Sequence, residues 1–507
     1  MKIFNLCFMQ INIKNYWLKH KKFTSLWILL FSVLVIVYVV VKASVTSFTH
    51  DESYSYLHHV HISFMNIISY NPAFTNNHIL NSLLIKYFEL LFGNSELALR
   101  APNIIALIIY LLFTFLLLKD LKQILTLSVF ILMFSNPYLL DFFGLARGYG
   151  LSIGFMMMSL YYLIQIFKED NQRNQILFNV GAFLSVLSNF ALINYYVAAL
   201  ITYNIIKLLD IIVNPDNANK KYNIFRINKV HIISVVFFIA VLYEPFRKIL
   251  KSDMINFGGN TGFIADTVGS LIRKTFYYTH ISGITIEILK IAVLLPVLIS
   301  LLIIIINILK SNKEFINNNK PLLIVTFILL LISFETIIQH HLFKNNYLLG
   351  RFALFLYPLF ILNIGFLLKY FLSKRYKYVT KSIAIILTFL WLFNLSLNIS
   401  LKSYAEWRYE MDTKKALKTL LTYHEDNKLP KSDVKLGINW LFEPTINFYR
   451  SVWEIDWILP ADRNGLKESD NYYYTFREEL KPQILQDSEI IFKSKNIGTI
   501  LLKNEKK

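Results

Sequence analysis

Long apolar segments alternate with short polar connections over the first 400 residues of the chain. A helix needs about 20 predominantly apolar residues to cross a bilayer. Eleven segments approach this length and composition, at residues 24–42, 102–118, 121–140, 150–167, 176–190, 192–213, 232–243, 284–309, 321–338, 351–371 and 379–399. The pattern therefore predicts a polytopic α-helical membrane protein with about 11 transmembrane helices.

Basic residues concentrate in alternate connections between these segments. The chain has 52 Lys and Arg against 33 Asp and Glu, a net charge of +19. In membrane proteins such an excess collects in cytoplasmic loops. The short basic connections lie at residues 119–122, 168–173, 207–229, 310–320 and 369–381. The distribution predicts a multi-pass protein of the cell (inner or plasma) membrane with a cytoplasmic N-terminus. An odd number of spans then puts the C-terminus outside the cytoplasm.

The N-terminal region could be mistaken for a signal peptide, because Lys14, Lys19 and Lys21 precede an apolar run. That run is longer than the apolar core of a signal peptide, so we interpret it as a retained span. Cys7 is the only cysteine, which excludes an intrachain disulfide.

The composition changes at residue 401, where the chain becomes charged and rich in Trp and Tyr. An amphipathic helix is predicted over Trp407–Tyr423, and strands over Val434–Trp440, Glu454–Leu459 and Thr499–Lys503. The pattern predicts a transmembrane core over residues 1–400 and a small extracytoplasmic α/β domain over residues 401–507.

The first outer loop, residues 44–100, is too polar to span a membrane and carries two amphipathic helical patterns, the first over residues 54–68 and the second over residues 80–91, ending at Gly93. Between them lies a turn-rich stretch from Asn71 to His78. Asp51 and Glu52 stand where the first apolar segment ends. Carboxylates are costly in hydrocarbon, so this pair marks either a water-filled site or a solvated span end.

Further polar side chains stand at the predicted outer ends of later spans. Arg147 and Tyr149 precede the fourth span, Arg351 begins the tenth, and His340 and His341 end the ninth. An arginine there either binds an anion or extends its charged end to the interface. Two adjacent histidines on a helix diverge by about 100°, which makes a poor metal pair.

No metal or nucleotide motif is present. The histidines of the first outer loop, His78 included, match no standard zinc spacing, and the sequence lacks HExxH and the P-loop pattern. The glycine-rich stretch at residues 258–262 is either a gate over a substrate or a plain flexible loop.

Several short motifs occur in a characteristic order. They are Asp51-Glu52, Asn77-His78, Phe-Gly-Asn-Ser-Glu at 92–96, Leu-Arg-Ala-Pro at 99–102, Ala-Arg-Gly-Tyr at 146–149, and Arg351 before Tyr-Pro at 357–358. With this order, residues 25–400 resemble the polyprenyl-phosphate-sugar glycosyltransferases of GT-C fold. The similar groups are the protein mannosyltransferases (glycosyltransferase family 39-like) and the lipid A aminoarabinose transferases. One departure is that the mannosyltransferases have His-Pro-Pro where this chain has Asn-His-Ile at 77–79, so the sugar and the acceptor stay open.

The resemblance implies an inverting hexosyl- or pentosyltransferase. It would move a sugar from a polyprenyl-phosphate donor to a hydroxyl of a lipid, glycan or protein at the extracytoplasmic face. Nucleic acid is not expected as a partner. Asp51 would be the catalytic base, and Glu52 would position the acceptor or orient Asp51. Further implied contacts are Arg147, Tyr149 and Arg351 with the donor phosphate, and His78, His340 and His341 with donor or acceptor. No cofactor is expected, although some relatives use a divalent metal ion.

Two other functions are compatible with the sequence. A flippase or transporter of lipid-linked sugars would place ionisable groups near the middle of its spans, whereas here they cluster at one face. A glycan polymerase or ligase with a pyrophosphate-linked donor stays open.

Overall fold

The computed structural model describes residues 22–213, 229–252, 258–373 and 376–506. The sequence predictions that involve Cys7, the N-terminal lysines, the middle of the 207–229 connection, and Lys374 and Arg375 lie outside the described residues. Each predicted apolar segment forms a helix. Within the described residues, eight helices have the length and hydropathy of a membrane span: Lys22–Val45, Glu96–Leu118, Gly148–Ile166, Ile193–Val213 (with a preceding 3₁₀ turn Phe190–Leu192), Lys229–Lys251, Gly283–Leu309, Lys320–Phe343 and Lys377–Asn398. The chain is a multi-pass membrane protein.

The three remaining apolar segments differ from simple spans. The predicted span at 121–140 consists of two helices, Gln123–Phe134 and Pro137–Phe143, bent by 68°. The bend follows from Asn136, whose side chain accepts from Leu139 N at 3.1 Å, and from Pro137, which has no N–H to continue the first helix. Gln172–Ser188 and Leu356–Leu372 have 17 residues each, about 25 Å of helix against a hydrocarbon thickness of about 30 Å.

Close packing around helix Gly148–Ile166 forms the centre of the bundle. A Cβ built on Gly154 would lie 2.9 Å from Ala106 O of helix Glu96–Leu118. A Cβ built on Gly181 of helix Gln172–Ser188 would lie 2.9 Å from Ser159 N. Small residues at these crossings let the backbones approach, as is usual for helix pairs in membranes.

The first outer loop folds into short helices against this bundle. They are His50–Ser55, which continues as a π-helical turn Tyr56–Val60, then Phe64–Ile68 and Ile79–Phe92. The second predicted amphipathic helix is confirmed, and it ends at Gly93 with φ +78°. The first is divided at residues 61–63, so the prediction of one continuous helix there is wrong.

The C-terminal part contains a four-stranded sheet. In spatial order its strands are Leu436–Ile438, Tyr472–Phe476, Thr499–Asn504 and Ser488–Lys493, with the first pair parallel and the other two pairs antiparallel. Its α-helices are Thr413–Asp426, Glu443–Val452 and Pro482–Gln486. The predicted strand Glu454–Leu459 is wrong: helix Glu443–Val452 occupies the preceding residues, Glu454 has φ +53°, and Ile458 makes only a single bridge to Val434. The predicted helix Trp407–Tyr423 begins later, at Thr413.

This C-terminal part packs directly on the first outer loop. Phe48 stacks on Phe448 with ring centroids 4.2 Å apart, and Phe48 N donates to the Tyr449 hydroxyl at 2.8 Å. These rings belong to one apolar cluster that also contains Tyr56 and Leu99. The outer loop that carries Asp51 is therefore held between the helical bundle and the C-terminal sheet. The domain boundary at residue 400 stays a prediction.

Smaller elements complete the outer face. A two-residue strand Gly258–Gly259 pairs antiparallel with Tyr347–Leu348 and is followed by the π-helical turn Phe263–Val268 and helix Gly269–Thr275. The glycine-rich stretch is thus tied to residues that lead into Arg351. The other short helices are Lys313–Asn318 and the 3₁₀ turns Gly350–Ala353, Arg408–Glu410, Trp440–Phe442 and Arg477–Glu479.

Candidate active site

Glu52 lies in a closed, fully buried ion pair. Its two carboxylate oxygens accept from Arg100 Nε and Nη2, each at 2.8 Å. They also accept from two backbone groups, Thr49 N at 2.9 Å and Ala146 N at 2.6 Å. The remaining guanidinium donors of Arg100 bond to main-chain oxygens of Ala43, Thr46 and Ser47. The pair therefore joins the end of the first span, the Asp51 helix, the second span and the residue before Arg147.

Asp51 points in a different direction from its neighbour, because adjacent residues on a helix are rotated by about 100°. Its Oδ2 lies 2.9 Å from Arg351 Nη1 and 3.7 Å from Arg147 Nη2. The Asp51 side chain is 15% exposed, whereas that of Glu52 is fully buried. Burial disfavours the charged carboxylate, but the guanidinium groups of Arg351 and Arg147 outweigh it and hold the pKa of Asp51 below its usual value.

Arg147 is the N-cap residue of helix Gly148–Ile166 and is almost completely buried. Its Nη1 donates to Ser55 Oγ at 2.7 Å and to Asn76 O at 3.0 Å. Its Nε is buried and makes no hydrogen bond among the described residues. One donor of this guanidinium is therefore unused in a protein interior where such groups are normally paired.

The backbone at Gly148, between Arg147 and Tyr149, leaves no space for a side chain. A Cβ built on it would lie 1.9 Å from Ser188 O and 2.8 Å from His78 Cβ. Any side chain there would displace the end of helix Gln172–Ser188 or the His78 ring. The residue is glycine because the backbone approaches both groups closely.

Arg351 comes from the 3₁₀ turn Gly350–Ala353 and meets Asp51 across 300 residues of sequence. Its guanidinium carbon lies 5.3 Å from the ring centroid of Trp407, 5.5 Å from Phe352 and 6.0 Å from Tyr149. Aromatic faces around a guanidinium hold it in place without neutralising it. Tyr149 contacts Arg351 and also lines a neighbouring cavity.

A second carboxylate near Arg351 was missed by the sequence analysis. Glu406 Oε1 lies 2.8 Å from Lys274 Nζ and accepts from the Tyr138 hydroxyl at 2.6 Å. Burial opposes ionisation of Glu406, but Lys274, Tyr138 and Arg351 together lower its pKa. The only sequence signal was its position directly after the last span, beside Trp407.

A cavity of about 530 Å³ opens beside these charged groups. Its polar lining residues include His78, Asn77, Asn189, Asn194 and Tyr149. Its apolar lining residues include Phe190, Phe246, Leu250, Phe343 and Phe352. Leu250 and Phe343 are 64% and 69% exposed on helices that have the composition of membrane spans. The cavity therefore runs from the charged centre towards the lipid-facing surface.

His78 lines the cavity and has a buried ring nitrogen without a hydrogen-bond partner among the described residues. Its Nδ1 donates to Ser188 O at 2.7 Å, which leaves Nε2 as a buried acceptor without a partner among the described residues. Burial, reinforced by Arg147, holds the pKa of His78 well below its usual value. The neutral ring is suited to accept a hydrogen bond from a hydroxyl group.

The two adjacent histidines lie outside this cavity. His340 Nδ1 donates to Asn345 O at 2.8 Å, and its ring stacks on Tyr347 at 4.3 Å. The helix residue that lines the cavity is Gln339, which donates to Asn194 Oδ1 at 2.8 Å. The structure thus brings Asp51, Arg147, Tyr149, Arg351 and His78 together, and leaves Glu52, His340 and His341 beside the site.

Over the described residues, no group of three or more His, Cys, Asp or Glu side chains is arranged to hold a metal ion. The expectation that no cofactor is required stays a prediction.

No protein-family model matches the sequence. No curated protein matches it either. Among solved structures, the chain is similar to ArnT from Cupriavidus metallidurans bound to undecaprenyl phosphate, with a TM-score of 0.47 and 10% identity over 94% of this chain and 97% of that chain. The apo state of the same protein gives a TM-score of 0.44 and 10% identity over 94% of this chain and 98% of that chain. Because both TM-scores are below 0.5, the geometry of the site is what supports a function.

Proposed function

We propose that this protein is an inverting membrane glycosyltransferase of the extracytoplasmic face of the cell membrane, with a cytoplasmic N-terminus and an extracytoplasmic C-terminus. It takes a hexosyl or pentosyl group from a polyprenyl-phosphate donor and transfers it to a hydroxyl group of a lipid, glycan or protein. The observation that carries the proposal is the Asp51 carboxylate held between two guanidinium groups beside a cavity that is lined by both polar and apolar side chains.

The charges at this centre suit a phosphate leaving group. Arg147 and Arg351 bring two positive charges to one Asp51 carboxylate, which leaves one of them uncompensated. Arginine is well suited to bind phosphate because its planar fork can donate two parallel hydrogen bonds. The apolar side chains that line the cavity, among them Phe246 and Phe343, would accommodate the first isoprenoid units of the donor.

Asp51 would serve as the general base. In the free protein its basicity is low because Arg351 holds the carboxylate. A donor phosphate that takes over Arg351 would remove this stabilisation and raise the pKa of Asp51, so the base is activated when the donor binds. The acceptor oxygen then forms a bond to the anomeric carbon, its proton passes to Asp51, and the bond to the phosphate oxygen breaks. The polyprenyl phosphate departs with both bonding electrons, held by Arg351 and Arg147.

The other site residues would bind the sugar or position the catalytic groups. We assign His78 Nε2 and Tyr149 to contacts with the donor sugar, because both are polar groups that line the cavity. Glu52 is a positioning residue that orients the Asp51 helix through Arg100. A contact of His340 with donor or acceptor would require its side chain to leave Asn345 and Tyr347, and His341 is exposed outside the cavity.

The test uses purified protein in nanodiscs, a panel of polyprenyl-phosphate sugars and a crude envelope extract as acceptor. Release of polyprenyl phosphate by the wild type, its collapse in Asp51→Asn and its persistence in Asp456→Asn would support the proposal. Asp456 is an exposed aspartate remote in sequence from the site and serves as the matched control. Equal release by Asp51→Asn and wild type would discard Asp51 as the base. Activity only with pyrophosphate-linked sugars would assign the protein to the polymerase or ligase class.

A further inference from the structure

A second depression lies where the membrane helices meet the C-terminal part of the chain. Its volume is about 540 Å³. We call it the lysine groove, because it is lined by Lys402, Lys414, Lys415 and Lys418. Its lipid-side edge is formed by Val45 and Leu401.

The groove carries an uncompensated positive charge. Lys414 Nζ lies 2.5 Å from Glu96 Oε1 and is thereby neutralised. Asp412 also lines the groove and accepts from Ser494 Oγ at 2.5 Å. The other three lysines are exposed, and over the described residues they take part in no ion pair.

This arrangement of lysines is unfavourable for the helix that carries it. Lys414, Lys415 and Lys418 all lie in the first two turns of helix Thr413–Asp426. Cations near a helix N-terminus oppose the helix dipole, and like charges three or four residues apart repel each other. A bound anion would relieve both effects.

The position of the groove indicates where such an anion would come from. Val45 is the last residue of the first span, and Leu401 follows shortly after the helix Lys377–Asn398. Both side chains are apolar and exposed. The lysines therefore stand at the level where a membrane helix leaves the hydrocarbon, which is the level of lipid head groups.

The groove is separate from the candidate active site. Ser47 lines the groove and accepts from Lys414 N at 3.3 Å through its hydroxyl, while its main-chain oxygen accepts from Arg100 at 2.8 Å. The buried Arg100–Glu52 pair lies between this residue and Asp51.

We infer that the lysine groove binds the phosphate group of an anionic membrane lipid. The lysines supply the cations for the phosphate, and Val45 and Leu401 supply the apolar edge along which the acyl chains leave towards the bilayer. This inference does not rest on the proposed glycosyl transfer.

The test measures binding of water-soluble dihexanoylphosphatidylglycerol to the full-length protein in neutral detergent. Dihexanoylphosphatidylcholine and inorganic phosphate serve as separate arms. The groove variant K402Q/K415Q/K418Q removes the three lysines that take part in no ion pair among the described residues, and leaves the Lys414–Glu96 pair intact. The control K428Q/K435Q/K481Q removes the same charge at three exposed lysines of the C-terminal part that lie outside the groove. A third variant, K402R/K415R/K418R, retains the charge.

We expect the wild type, the control and the arginine variant to bind phosphatidylglycerol, and the groove variant to bind at least about tenfold more weakly, because it lacks three cations that attract the anionic head group. Equal binding by groove variant and wild type, or equal loss in the control, would overturn the inference. Equally tight binding of phosphatidylcholine would overturn the requirement for an anionic head group. Inorganic phosphate bound as tightly as the lipid would assign the groove to free phosphate instead.

Discussion

Replacement of Glu52 by glutamine distinguishes the structural role of Glu52 from the catalytic role of the adjacent Asp51. The two residues look equivalent in the sequence, but Glu52 is fully buried against Arg100 while Asp51 faces Arg351. We expect Glu52→Gln to destabilise the folded protein strongly and Asp51→Asn to destabilise it less.

The magnitude follows from the hydrogen bonds of Glu52. Oε1 accepts from Arg100 Nε and Ala146 N, and Oε2 accepts from Arg100 Nη2 and Thr49 N. A glutamine replaces one oxygen by an NH₂ group, so two of these four donors face another donor whichever way the amide is turned. The guanidinium also remains buried without a counter-ion. Loss of one partner of a buried ion pair costs about 3–5 kcal/mol, and we expect a decrease of this size in the free energy of unfolding.

The measurement is a reversible unfolding titration with SDS in mixed micelles, followed by the fluorescence of the seven tryptophans. Asp51→Asn is the matched control, because its amide oxygen can still accept from Arg351, and we expect a change of no more than about 2 kcal/mol. A Glu52→Gln protein that unfolds like the wild type but has lost turnover would refute the structural assignment. It would instead support direct participation of Glu52 in acceptor binding.

Four further outcomes can be tested, three at the site and one at the buried Glu410 of the C-terminal part. Asp51→Asn should lower turnover by about 10²–10⁴-fold, the usual contribution of a general base, while donor affinity in equilibrium binding stays equal or increases because a neutral amide competes less with the phosphate for Arg351 than the carboxylate does; weaker donor binding would contradict this. Arg351→Lys should weaken donor binding by roughly 1.5–3 kcal/mol, the worth of one hydrogen bond to a charged group, and unchanged binding would remove the phosphate contact. His78→Asn should keep a hydrogen bond to Ser188 O but lose the acceptor at Nε2. The Kd of the lipid-linked sugar should therefore rise by about fivefold, with an unchanged melting temperature as the check on folding. Burial raises the pKa of Glu410 to about 8, above the usual range of a glutamate carboxyl. The neutral Glu410 side chain should therefore contribute fully to the stability of the folded protein below about pH 4.5, and this contribution should be lost as the pH rises through about 8. Glu410→Gln should make the melting temperature depend less on pH.

Several site residues were accessible to sequence reasoning because they lie at the ends of apolar segments. Asp51, Arg147 and Arg351 each occupy such a position, and a charge there is either solvated or used. Glu406 occupies a comparable position after the last span but was missed, because only its contacts with Lys274 and Tyr138 distinguish it from a solvated carboxylate. His340 and His341 carried the same signal as Arg351, yet helix rotation directs Gln339 rather than either histidine towards the cavity.

The sequence by itself determined the helical membrane architecture. Each predicted apolar segment is a helix, because the burial of about 20 apolar residues in lipid together with their backbone hydrogen bonds is a local property. The bend between Phe134 and Pro137 and the C-terminal helix Glu443–Val452 escaped the hydrophobic pattern. Only the tertiary structure separated Asp51 from Glu52, because their partners Arg351 and Arg100 lie 300 and 48 residues away. Periodicity predicts which residues share a helix face, but the charge and burial opposite that face depend on distant parts of the chain, which only packing brings together.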